Sequence, residues 1–268
     1  MEIPLFPLHT VLCPGIVLPL HIFEARYRAM TQHCLESGEP FGVVLIRDGR
    51  EVASRGMATL AVVGAFAEIR EVGRYPDGRY DLMAAATGRF AIESVDAHKE
   101  PYLVATVTPL DDEVGDEPRA ERLAAVAIKR FVRYLDLMRA RDGESTEVLD
   151  IRVEIDGPPD DDDVADAPVD EVDLLLEPER LLAADAAERP IPDRHDLVIP
   201  DDPTVLSYLL SGIVQVELPR RQALLEAETS VERLEGLVPL LEREILLLRY
   251  RLRCFAPDPD MLRGVRRS

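Results

Sequence analysis

Only two lysines, Lys99 and Lys129, stand among the 31 basic residues of this 268-residue chain, and only three cysteines. The first scarcity removes a whole class of chemistry. A phosphate loop needs lysine directly after glycine so that the ammonium reaches the phosphates. Here Lys99 follows His98 and Lys129 follows Ile128. Neither lysine sits in a serine-bearing motif, so a serine–lysine dyad has no sequence support either. Ser37-Gly38 and Ser211-Gly212 lack the rest of a nucleophile elbow and read as helix ends. The cysteines, Cys13, Cys34 and Cys254, are odd in number and widely spaced, which excludes a disulfide framework and fits a reducing compartment. Long apolar runs are also missing: nothing approaches the roughly 20 uncharged residues of a membrane span. The opening Met1-Glu2-Ile3-Pro4-Leu5 lacks the basic and apolar regions of a signal peptide. The expectation is a cytoplasmic protein that is not an enzyme and carries no catalytic, cofactor-binding or metal site.

What the chain has in excess is acid, with a net charge of −20 that is concentrated in one place. Between Asp142 and Asp202 there are 22 acidic residues against four arginines, whereas the remainder holds 29 acidic against 27 basic residues and is nearly neutral. Such a segment repels nucleic acid and anionic membrane, so neither is an expected partner.

Two constellations could hold a metal on composition alone. His9, Cys13, His21, His33 and Cys34 crowd the first 34 residues, but no C-x-x-C or H-x3-H pair is present, the spacing is irregular, and they read as core or surface residues. Asp160 to Asp163 lack the glycine turn and distal glutamate of a calcium loop and read as a solvated linker.

Residues 1–112 read mostly as β. Apolar runs at Phe41–Ile46, Met57–Gly64, Ala67–Val72, Tyr80–Ala86, Arg89–Val95 and Tyr102–Leu110 are separated by turn signals such as Asp48-Gly49, Pro76-Asp77-Gly78 and Thr87-Gly88. That spacing predicts a compact, mostly antiparallel barrel or sandwich. A helix over Glu24–Ser37 interrupts it, with Tyr27, Met30 and Cys34 on one face and Gly38 as C-cap. A connecting segment, 113–141, contains a helix over 119–141 with an apolar stripe from Leu123 to Met138. An acidic insertion, 142–200, follows; Gly157 to Asp163 should be mobile, and Leu174–Ala187 could add a short helix. The helical part, 201–256, has Asp202 as N-cap before Pro203, a second helix opened by Pro219, and capping-box spacing at Thr229 and Glu232. From Val231 to Leu252 apolar residues repeat in steps of three and four, but Gly236 and Pro239 interrupt them, which predicts a kink or two helices end to end. A basic tail, 257–268, ends the chain.

Two blocks then carry a resemblance. Ile3-Pro4-Leu5-Phe6-Pro7-Leu8, Val11 to Leu20 with Pro14-Gly15, and Ile22-Phe23-Glu24-Ala25-Arg26-Tyr27-Arg28 form the first. Gln222-Ala223-Leu224-Leu225-Glu226, Glu232-Arg233-Leu234 and Leu240 to Glu244 form the second. Between them, Tyr80 to Phe90 and Pro101-Tyr102-Leu103-Val104-Ala105 match hairpins of the same family. Together they resemble the amino-terminal substrate-binding domain of the Lon protease family, as a stand-alone member without ATPase or protease parts. The acidic insertion is longer than the family leads one to expect.

The resemblance implies an α+β fold: a PUA-like, mostly antiparallel pseudo-barrel followed by a C-terminal helical bundle. It also implies a binding role, since this region of Lon helps hold protein substrates and cereblon-type adaptors use a related domain as a scaffold. The expected ligand is an unfolded or partly folded polypeptide, held in an apolar groove between barrel and helices or along a strand edge. The alternative is an adaptor or regulatory subunit that docks on a separate protease, ATPase or other enzyme. Phe23, Glu24, Arg26 and Tyr27 are the candidate partner contacts, weighed against a salt-bridged helix start in which Glu24 pairs with Arg28. The chain is expected to be a monomer or a weak homodimer through its C-terminal helices.

Overall fold

A computed structural model of the chain describes residues 1–48, 59–142, 151–153 and 197–255. The fold is α+β. Seven strands form the main sheet: β1 (Glu2–Leu8), β2 (Val17–Ile22), β3 (Phe41–Asp48), β4 (Thr59–Leu60), β5 (Val63–Arg74), β6 (Tyr80–Asp96) and β7 (Leu103–Leu110). The order β1-β7-β6-β5-β3 closes on itself because β1 also pairs in parallel with β3, Leu5 opposite Gly42 through Leu8 opposite Leu45. Every other pairing in this sheet is antiparallel, so the result is a five-stranded pseudo-barrel with β4 and β2 appended.

The closure depends on space for one ring. Phe90 is fully buried, and it lies where a Cβ on Gly42 of β3 or Gly64 of β5 would sit, 2.7 and 2.5 Å from its ring atoms. Glycine at these two positions lets the strands approach a large aromatic that a side chain would displace. Ile3, Leu5, Val44, Ala105 and Val107 complete this cluster. A second cluster, with Phe6, Phe41, Val43, Ala65 and Leu82, packs under helix α1 (Ala25–Ser37).

Helix α1 buries Tyr27, Met30, Thr31 and Cys34, an i, i+3, i+4, i+7 stripe, and ends at Gly38 in the left-handed region (φ 72°), as its sequence predicts. Two expected turns take a different form. Thr87-Gly88 does not reverse the chain; β6 runs on as one 17-residue strand, and the extra residue is absorbed as a register shift opposite Phe66 and Ala67. A glycine inside a strand pattern marks a bulge as readily as a turn. Likewise Ala67 to Val72 continues β5, which starts at Val63.

Helices α2 (Glu117–Asp142), α3 (Pro203–Ile213), α4 (Leu218–Glu226) and α5 (Ser230–Phe255) follow the expected positions. The Asp116 carboxylate accepts the Arg119 N–H at 2.8 Å and caps α2. At α5, Thr229 Oγ1 accepts the Glu232 N–H at 3.2 Å while the Glu232 carboxylate accepts the Glu228 N–H at 3.0 Å, a capping box displaced by one residue. Of the two expected forms, a kink or two helices end to end, the second does not occur: α5 is one helix through Gly236 with Pro239 inside it.

The chain clusters into two compact units, Met1–Ala127 with Pro203–Leu240, and Ile128–Asp202 with Leu241–Ser268. In the second, Phe131 and Tyr134 stack at 6.2 Å, the Arg130 Nε donates to Glu242 at 2.8 Å, and β8 (Ile151–Val153) runs parallel to β9 (Leu197–Ile199). The expected mobility of Gly157 to Asp163, the helix at Leu174–Ala187 and the basic tail at 257–268 lie outside the described residues. Among the described residues no helix is long and apolar enough to cross a membrane.

Candidate functional site

The chain segment that leaves β2 and enters α1 holds the four residues singled out above, and the structure separates them by burial. Phe23 is 62% exposed, its ring stacked 6.3 Å from that of His21. Glu24 occupies the N-cap position without a side-chain cap bond, and its carboxylate instead accepts the Arg26 Nε–H at 3.0 Å. The Arg26 guanidinium in turn lies 4.5 Å from the Tyr27 ring centroid. Tyr27 itself is buried, edge-on to Phe6 at 4.3 Å, with its hydroxyl unbonded among the described residues. The expected Glu24–Arg28 pair does not form: Arg28 reaches across to donate to the Asp77 carbonyl at 3.2 Å, and Glu24 pairs with Arg26 instead.

Around Phe23 the end of the β2–β6–β5 ribbon is exposed. His21 Nδ1 lies 2.6 Å from Asp81 Oδ1, and the Tyr75 hydroxyl donates to the other oxygen of the same carboxylate. These two partners, the tyrosine first, hold the Asp81 carboxyl below the usual carboxylate range. Arg79 pairs with Asp77 at 2.7 Å and covers the Tyr75 ring at 5.4 Å. Beyond this polar tip the outward face of the ribbon turns apolar, with Val17 and Pro19 of β2 exposed opposite Ala85 and Met83 of β6.

The opposite end of the barrel is sealed. Arg89, on β6, is 2% exposed and donates from Nε to Asp112 at 2.9 Å and from one terminal nitrogen to the carbonyls of Leu225 (2.9 Å) and Ala227 (2.7 Å). Arg233, on α5, is fully buried and donates to the Leu224 carbonyl (3.1 Å), Ser207 Oγ (2.8 Å) and the Tyr208 hydroxyl (2.7 Å), with its guanidinium 3.7 Å from the Tyr208 ring centroid. The Tyr208 hydroxyl donates to Asp112, so one carboxylate serves Arg89 and Tyr208 together. Burial raises the Tyr208 phenol well above its ordinary range and lowers the Arg233 guanidinium. This network ties the barrel to α3, α4 and the start of α5.

Sequence reading missed these arginines as a site. Arg89 and Arg233 both lie within the motifs that carry the family resemblance, and an arginine beside Phe90, or between the apolar Val231 and Leu234, was the available signal of a buried cation. The histidines and cysteines of the first 34 residues scatter. Cys13 and Cys34 fall in different core clusters, and burial pushes both thiols up to about 11. Among the described residues no group of three or more metal-ligating side chains assembles. A groove of about 580 Å³ between the first turns of α2 and α5, lined by Arg119, Leu123, Val126, Val238 and Pro239, is open, and its ion pair is Arg119–Glu235.

Comparison with known proteins agrees with this architecture. The family model for the ATP-dependent protease La (LON) substrate-binding domain matches residues 2–243. The Lon protease of Escherichia coli K12 is 24% identical over 257 residues, covering 94% of this chain and 26% of that protein. Lon protease 2 of Myxococcus xanthus is 26% identical over 150 residues, covering 55% of this chain and 18% of that protein. The chain thus spans about a fifth to a quarter of the length of these relatives. Two solved structures share the fold: the Lon N-terminal domain protein from Xanthomonas campestris (TM-score 0.52, 21% identity, 89% of this chain and 98% of that one) and the N-terminal domain of the Mycobacterium avium complex Lon protease (TM-score 0.53, 19% identity, 90% and 98%). A barrel closed by a parallel β1–β3 pair, braced by helices through two buried arginines and matched by one family model over residues 2–243, places this chain in the Lon substrate-binding domain family.

Proposed function

We propose that the chain is a non-catalytic module that binds unfolded or partly folded polypeptide, and that it does so on the exposed end of the β2–β6–β5 ribbon next to α1. The observation that carries this reading is the asymmetry of the barrel. One end is sealed by Arg89 and Arg233, while the other leaves Phe23, Val17 and Tyr75 at 62%, 50% and 42% exposure. Large apolar side chains held outward by a rigid scaffold mark an interaction surface rather than a stability device. Phe23 is the apolar anchor in this reading, and Glu24 with Arg26 forms its polar rim. Tyr27 supports them from the core. Binding of this kind needs apolar contact and main-chain hydrogen bonds, with no reactive group.

Calorimetry of the full chain against a permanently unfolded, carboxymethylated protein tests the reading. Micromolar association that weakens in Phe23→Ser is the expected result, and no heat of binding at 100 µM (a concentration corresponding to about −5.5 kcal/mol) would overturn it.

A further inference from the structure

We infer that polypeptide is captured by strand addition along the free edge of β2, an inference that rests on the polypeptide-binding reading above and specifies its mode. Among the described residues strand β2 pairs with β6 alone, Val17 opposite Ala85 through Ile22 opposite Tyr80. Which of its main-chain groups face β6 follows from the bonds just before it: the Ala86 N–H donates to the Ile16 carbonyl at 3.0 Å. Antiparallel pairs alternate between bonded and non-bonded. Leu18, Leu20 and Ile22 therefore turn their N–H and C=O groups toward β6, and Val17, Pro19 and His21 turn theirs away. Pro19 fits only this assignment, because it has no N–H to give. The outer edge thus offers two donors, on Val17 and His21, and three carbonyl acceptors.

A neighbouring edge shows what protection looks like. Beyond Ala67, β5 also pairs, among the described residues, with β6 alone, and its outer half carries Glu68, Arg70, Glu71 and Arg74, with Glu68 and Arg70 paired at 3.0 Å. Charges of this density keep a free edge from acquiring a partner strand. Strand β2 has none from Val17 to Leu20, and its one blunting device is Pro19. An added strand would lay alternate side chains against Val17 and Pro19 on the outward face and against half-buried Leu18 and Leu20 on the other. Both faces are apolar, so the occupant is an extended segment rich in apolar residues, recognised through its backbone and not through a fixed sequence.

The test uses the full chain and a fluorescein-labelled peptide of alternating valine and threonine, read by anisotropy and by amide hydrogen exchange. Val17→Pro and His21→Pro each remove one outward donor without touching the β6 ladder, as native Pro19 already does. Each should weaken binding by about two- to tenfold, the worth of one hydrogen bond. Pro19→Val adds a third donor and should bind more tightly. The amides of Val17 and His21 should gain protection when peptide is present. If Val17→Pro or His21→Pro does not fold, Pro19→Val decides, since it removes no main-chain bond. Binding that ignores all the donor changes overturns strand addition and leaves the polypeptide-binding reading standing; no binding by the parent chain overturns both.

Discussion

Strand β6 runs through two settings that share a backbone and little else. Over Arg89–Ala91 it lies between β5 and β7, carries Phe90 into the space left by Gly42 and Gly64, and sends the Arg89 guanidinium to carbonyls on α4 and just beyond it. Over Tyr80–Ala85 its partners are β2 and the outer half of β5, each with a second edge that no strand among the described residues covers. In the first stretch the one polar side chain, Arg89, is buried and committed inside the fold, and in the second the side chains alternate between the core and an outward face. The difference separates the residues that hold the domain together from those available to another chain, and the variants below exploit it.

The largest effect is expected at the braced half. Arg89→Met leaves Asp112 without its cation and deprives the carbonyls of Leu225 and Ala227 of their donor. Removing one partner from a buried ionic network costs about 3–5 kcal/mol. Denaturant unfolding should show that loss, and a change below about 1 kcal/mol would mean the network is solvated rather than sealed. Next is Gly64→Ala, whose new methyl would lie 2.5 Å from the Phe90 ring and 2.6 Å from the Val43 carbonyl oxygen. Neither neighbour is a flexible side-chain end, so a loss of about 1–3 kcal/mol is expected from overpacking. Tyr208→Phe comes third. It deletes the hydroxyl that joins Asp112 to Arg233 but keeps the ring beneath the guanidinium, for about 1 kcal/mol in the same measurement.

How much of this was legible before any coordinates follows from the kind of signal each feature leaves. Periodicity and end signals located α1, α3 and α4 because Tyr27, Met30 and Cys34 repeat at helical spacing and Pro203 and Pro219 open their helices. Local punctuation misled at Thr87-Gly88, since a glycine marks both a turn and a bulge and only the pairing with Phe66 decides between them. The closure of the barrel left no local trace: the β1–β3 pairing joins residues nearly 40 positions apart, and its requirement is the absence of a side chain at Gly42. At the candidate site Phe23 was visible as part of a motif. The outward donors of β2 were not, because the direction of an N–H depends on the register with β6, which the sequence of β2 alone does not contain.

The smallest effect on the fold is expected at the open half, where it should coincide with the largest effect on binding. Phe23 is 62% exposed, and its ring meets only the edge of the polar tip, stacked on His21 at 6.3 Å. Phe23→Ser should therefore move the unfolding midpoint by no more than an ordinary surface change, within about 0.5 kcal/mol. The same substitution removes the largest exposed apolar side chain beside β2, and affinity for carboxymethylated protein should fall about tenfold or more, as it does when an aromatic anchor of an interface is truncated. Paired with Arg89→Met, this gives a double dissociation. The braced half should change stability and leave the affinity of the remaining folded fraction intact, and the open half should do the reverse. If Phe23→Ser unfolds the chain instead, the ring is bracing the entry to α1 and the two ends of β6 are not divided between stability and recognition.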